Sequence, residues 1–102
     1  MLYLLFYEVT ADYLERRAQF RDEHLKLAWQ AHLRGELILG GALQQPTDTA
    51  ILLFSGQDTS AVEDFVANDP YIKNGLIKKW SIRHLATVVG DMADTPIRIS
   101  DL

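Results

Sequence analysis

The chain has 102 residues, 48% of them apolar and 24% charged, with a net charge of −4 from 10 basic and 14 acidic side chains. That length holds one hydrophobic core and not two, and the composition is that of a folded domain rather than a disordered segment. The absence of cysteine excludes a disulfide framework, a thiolate metal centre and a cysteine nucleophile, and the acidic balance disfavours nucleic acid, for which Lys73, Lys78 and Lys79 form the only candidate basic cluster.

Leu2–Val9 (LYLLFYEV) reads as the first strand, apolar on both of its alternating faces. Its flanks lack the basic leader and small-residue cleavage site of a signal peptide, and no apolar run approaches the ~20 residues that span a bilayer. A cytoplasmic location is the expectation, with no membrane contact. Asp12 to Arg34 follows as one long predicted helix, opened by an Asp12–Glu15 capping pair and closed by Gly35. Leu14, Ala18, Leu25, Ala28 and His32 mark one stripe of it, interrupted by Arg21. Phe20, His24, Leu27 and Ala31 mark a second stripe beside the first.

Leu37–Leu43 (LILGGAL) is a second strand, in which the Gly40-Gly41 pair signals a bulge or a close approach of the backbone to something else. A turn over Gln44–Thr49 joins it to a third strand, Ala50–Ser55. Ser60, with Glu63 three residues on, opens a second helix, which ends at Asn68-Asp69-Pro70 because a residue before proline leaves helical dihedrals. Tyr71–Gly75 is an irregular or single-turn segment, and Lys78–Thr87 is a fourth strand. Residues 1–87 thus form a single domain, and residues 88–102, with Gly90 and Pro96, form a C-terminal arm ending in a short strand at Ile97–Ile99.

The order β-α-β-β-α-β predicts a ferredoxin-like α+β fold: a four-stranded antiparallel sheet with two helices on one face. Helices on one face leave the other bare, yet Leu2–Tyr7 and Ile51–Phe54 are apolar on both sides. A homodimer that packs sheet on sheet satisfies that pattern, and an arm folded back over the sheet is the alternative.

The histidines His24 and His32 stand about 12 Å apart along a helix, too far to share one metal. No zinc, nucleotide or serine-nucleophile motif is present, so no metal and no cofactor are expected. Arg21 and His24 are neighbours at i, i+3 beside an apolar stripe, where a cationic pair invites a carboxylate. Asp69 is the candidate, since both helices share one side of the sheet. Spacing alone leaves two readings, a structural clamp that pins the turn and an acid–base pair.

Arg21-x-x-His24-Leu25, Gly35-x-Leu37 leading into Gly40-Gly41-Ala42-Leu43, and Asp69-Pro70-Tyr71 with Gly75-Leu76 resemble the YciI-like family of the dimeric α/β-barrel superfamily, over about residues 1–86. One departure is Gly41-Ala42 where Gly-Pro is frequent. The resemblance implies a dimer through the sheet faces and a pocket between helices and sheet holding a His–Asp pair, at the positions of His24 and Asp69. His24 is then the general acid or base and Asp69 its orienting carboxylate. Arg21 holds an anionic substrate oxygen, Tyr71 lines the pocket or donates a proton, and Gly40 and Gly41 lie against the small-molecule substrate. The implied activity is cofactor-free acid–base chemistry, of isomerase, lyase or dehydrochlorinase type, on a small organic acid or hydroxyquinol. A non-catalytic sensor of small acids and a monooxygenase of the same superfamily are the alternatives.

Overall fold

A computed structural model describes residues 1–100. Strand β1 (Leu2–Val9) leads into α1 (Tyr13–Arg16), a 3₁₀ turn over Arg17–Gln19, and α2 (Arg21–Leu33). Strands β2 (Leu37–Ala42) and β3 (Thr49–Ser55) form a hairpin. Helix α3 (Ser60–Asn68), the short α4 (Pro70–Lys73) and strand β4 (Ile77–Leu85) complete the domain. The strands pair antiparallel in the order β2-β3-β1-β4. This is the ferredoxin-like α+β arrangement.

Alternation on β1 decides where the core lies. Tyr3, Leu5, Tyr7 and Val9 are buried on one face; the first three pair laterally with Phe54, Leu52 and Ala50 of β3, and Val9 with Ile77 of β4. Val62, Phe65 and Val66 of α3 and Ala31 of α2 close over this face. A second cluster, of Val9, Tyr13, Tyr71 and Leu76 with Phe20 against it, fastens the end of β1 to α1 and α4. The Thr10 N–H donates to the Leu76 carbonyl at 2.9 Å, and the Arg16 guanidinium donates to the Asn74 carbonyl at 2.8 Å, across the same seam.

Several local expectations are corrected. The long helix is broken at Arg17–Phe20, although no proline or glycine stands there; Phe20 adopts φ −119°, ψ −1°, and its ring packs into the second cluster. Packing overrides helix propensity at that point. Neither capping box forms. The Asp12 side chain accepts from the Thr10 hydroxyl instead, and at α3 Thr59 takes the cap position while Asp58 Oδ1 accepts the Ser60 N–H at 2.9 Å. The irregularity in β2 falls between Leu37 and Leu39, not at the glycine pair. The arm has no strand at 97–99. It turns back on itself, with the Thr95 N–H donating to the Thr87 carbonyl and the Ile97 N–H to the Val88 carbonyl. The last two residues of the expected arm, 101–102, lie outside the described residues. Gly35 does end α2, at φ +80°, where nothing crowds its absent side chain and only the backbone demands glycine.

Candidate active site

Asp69 is the one fully buried charged residue among the described residues. Standing before Pro70, it is held extended (φ −73°, ψ 120°), and this backbone turns its side chain forward over the first turn of α4. Its carboxylate is fully buried. Oδ1 accepts the Tyr71 N–H at 3.0 Å and the His24 Nδ1–H at 2.8 Å, and Oδ2 accepts the Tyr7 hydroxyl at 2.8 Å. A bare buried carboxylate would cost several kcal/mol, on the order of the desolvation penalty of an ion, and three donors offset that cost. Burial, with the adjacent Asp69 charge and the hydrogen bond to it, drives the Tyr7 hydroxyl far above its ordinary range. Tyr7 therefore stays protonated and donates.

His24 sits in the first turn of α2, where its side chain retains 13% exposure. Its ring stacks flat on Tyr71, with centroids 3.8 Å apart and planes 8° apart, and meets the edge of Phe65 at 6.1 Å. The ring is thus fixed in position by stacking and in tautomer by the carboxylate. An ionised carboxylate only accepts, so Nδ1 carries a proton, and in the neutral ring Nε2 is the nitrogen with the lone pair. Tyr71 is itself held edge-on by Tyr13 at 5.6 Å. Burial first, and then the neighbouring Tyr13, push the Tyr71 hydroxyl up to about 12, so it remains a neutral phenol at physiological pH.

His24 and Tyr71 open onto a cavity of about 380 Å³ between α2 and the β2–β3 hairpin. That is at the small end of the roughly 300–1,000 Å³ of ligand pockets. Arg21, Gly40 and Gly41 line the same cavity, so the structure gathers all six residues singled out from the sequence around one hollow: five on its wall and Asp69 directly behind His24. Gly40 presents no Cβ toward the cavity, and one built there would reach the Leu52 side chain at 3.4 Å. Gly40 thus keeps that wall low, whereas a Cβ on Gly41 would meet nothing within 4 Å.

Sequence reasoning missed Tyr7, Arg17 and His32 as parts of this site. Tyr7 carried a readable signal: a tyrosine on the inward face of a central strand must find a hydrogen-bond partner in a dry core. Arg17 lines the cavity with its Cζ 5.6 Å from the centre of the Tyr13 ring. His32 lines the far end, its Nδ1–H donating to the Leu37 carbonyl at 2.8 Å. Among the described residues no three His, Asp or Glu side chains gather as a metal ion would need, and no helix is long and apolar enough to cross a membrane.

Fold and cavity together define a small ferredoxin-like α+β protein in which a hydrogen-bonded imidazole and carboxylate border a ligand-sized hollow. The chain belongs to the YciI-like family: the YCII-related domain matches residues 1–86. None of the curated proteins matches it. Among solved structures it is similar to the 5-chloro-2-hydroxyhydroquinone dehydrochlorinase TftG of Burkholderia phenoliruptrix AC1100, crystallised with 2,5-dihydroxybenzoquinone. That likeness has a TM-score of 0.71 at 22% identity, covering 92% of this chain and 100% of that one. A NIPSNAP family protein of Agrobacterium tumefaciens C58 shares the fold with a TM-score of 0.55 at 15% identity, over 91% of this chain and 95% of that one. A NIPSNAP domain protein of Burkholderia xenovorans does so with a TM-score of 0.51 at 16% identity, over 88% and 98%.

Proposed function

We propose that the protein is an acid–base enzyme acting on a small organic acid or hydroxyquinol-type compound, with His24 as the proton-transferring group and Asp69 as its orienting partner. The observation that carries this reading is the single imidazole clamped by a buried carboxylate and a stacked tyrosine at the wall of a ligand-sized cavity. Nε2 takes a proton from an activated carbon of the substrate. The C–H electron pair becomes a new π bond, and either expels a leaving group as its anion or is reprotonated at another carbon by the imidazolium. Asp69 holds the ring and stabilises the imidazolium between those steps; Arg21 stabilises the oxygen on which negative charge develops. The chemistry needs only these side chains. The likeness to a dehydrochlorinase supports the elimination branch in particular.

The test is His24→Gln, which keeps a polar side chain of similar reach and removes the base. Chloride release from chlorinated hydroxyquinols and hydrogen–deuterium exchange on enolisable acids are the assays. Turnover is expected to fall by about 10²–10⁴-fold, the usual contribution of a general base, with the circular dichroism spectrum unchanged. Ligands that bind without any turnover in the wild type would replace the enzyme by a sensor of the same compounds.

We also infer a homodimer joined through the sheet faces away from the helices. Leu4, Phe6, Ile51 and Leu53 lie half-buried on that side of β1 and β3, and Ser81, Arg83 and Lys79 of β4 border them in register. An apolar centre with a polar border is the anatomy of a protein–protein interface.

A further inference from the structure

The cavity changes character along α2. Leu25, Ala28 and Trp29 give it an apolar wall, while Arg17 and Arg21 enter it at the α1–α2 junction. Tyr13 and Tyr71 locate the two guanidiniums. Arg17 stands over the Tyr13 ring, Tyr13 meets Tyr71 edge-on, and Arg21 precedes His24 by one helical turn. Both charges therefore sit at the end of the cavity where the His24 imidazole is stacked. Both also favour ionisation of the Tyr71 hydroxyl, against the burial that opposes it.

Neither guanidinium is spoken for. Among the described residues Arg16 pairs with Asp12 and Arg34 with Glu36, whereas Arg17 and Arg21 have no carboxylate at ion-pair distance. A chain with 14 acidic residues and a net charge of −4 has carboxylates to offer, yet it places two unpaired arginines against one small apolar cavity. Two guanidinium forks bordering one cavity, Arg17 half-buried and Arg21 exposed at its mouth, match the two oxygens of a carboxylate.

We propose that Arg17 and Arg21 clamp a permanent carboxylate of the substrate, which makes the substrate a small ring or enol carboxylic acid and not a neutral hydroxyquinol. The proposal rests on the cavity being the His24 substrate site, and it narrows the two substrate classes named above to one.

Calorimetric titration of the full chain with 2,5-dihydroxybenzoate and with benzene-1,4-diol, the same ring without the carboxylate, tests it without any need for turnover. The acid is expected to bind at least about tenfold more tightly, equivalent to about 1.4 kcal/mol. Added salt should weaken the acid and leave the diol unchanged. The double variant Arg17→Gln/Arg21→Gln should bring the two affinities to within about twofold of each other, and each single variant should lose part of the preference. Equal affinities in the wild type, a preference that survives in the double variant, or binding of neither compound at about 10 mM, a level that even a weak complex would register, overturns the clamp. His24→Gln separates this from the catalytic reading. A variant that keeps both the preference and full turnover sinks the role of the base and leaves the clamp standing.

Discussion

Asp69 receives three hydrogen bonds on two oxygens, and each donor comes from a different element: Tyr7 from β1, His24 from α2, and the Tyr71 backbone from α4. The weights of these bonds are separable. Replacing Tyr7 by Phe deletes one hydroxyl and leaves Oδ2 without a donor in a place closed to water. The expected cost is about 1–3 kcal/mol, the penalty of a buried polar atom left unpaired, read as a lower urea midpoint with an unchanged slope. An unchanged midpoint would mean that Oδ2 finds another donor. On the proposed mechanism activity should fall as well, because a carboxylate free to rotate holds the His24 ring less firmly, which would make Tyr7 a positioning residue acting through Asp69. The pairing of His24 with Asp69 was legible in outline, from a histidine beside an apolar stripe and an aspartate fixed by the following proline. The Tyr7 contact was not, since 62 residues separate the partners and strand alternation places its ring without saying what its hydroxyl meets.

At the scale of elements, α2 explains why a cavity exists at all. Of its thirteen residues only Ala31 is fully buried. Phe20, Leu27 and Ala31 of one stripe pack toward the core, Leu25 and His32 of the other face the hollow, and His24 and Ala28, one from each stripe, border the hollow where the two meet. Two parallel apolar stripes on one helix look alike in sequence; which of them meets the sheet is settled by Phe20 and Ala31 packing in the folded chain. The strands were readable for the opposite reason. Uninterrupted apolar runs at Leu2–Tyr7 and Ala50–Phe54 have no helical period, and Gly35 and Pro70 punctuate the chain at φ/ψ values that physics enforces locally. The break at Arg17–Phe20 left no such mark, because its cause is the distant Tyr71 and Leu76 cluster rather than a local preference. Gly35 offers a direct check. Its φ of +80° is open to alanine only at a cost, and no neighbour would clash. Gly35→Ala is therefore expected to destabilise the fold by about 1 kcal/mol through backbone strain alone, measured by urea unfolding.

The molecule measures 51 × 30 × 19 Å. A thickness of 19 Å is that of a sheet with one helical layer, given about 10 Å between packed layers. The sheet face bearing Phe6 and Leu53 therefore lies outside the two-layer core. The arm runs back along itself, and the N-terminal amine lies 3.7 Å from Asp94. We expect sedimentation to give twice the chain mass of 11.6 kDa, and Leu53→Glu to shift the protein toward the single chain with its circular dichroism preserved, since a charge there must stay wetted. A wild type that sediments as one chain would refute the pairing. One further consequence follows from the aspartate oxygen that serves a backbone amide and an imidazole together. The pairing cannot be transplanted as a motif. Grafting the His24 helix onto another scaffold would carry an imidazole with no anchor, and grafting the proline turn would carry an anchor with nothing to hold. Anyone seeking a minimal version of this site must keep the first strand, the second helix and the turn before the last strand in one piece. That is nearly the whole protein.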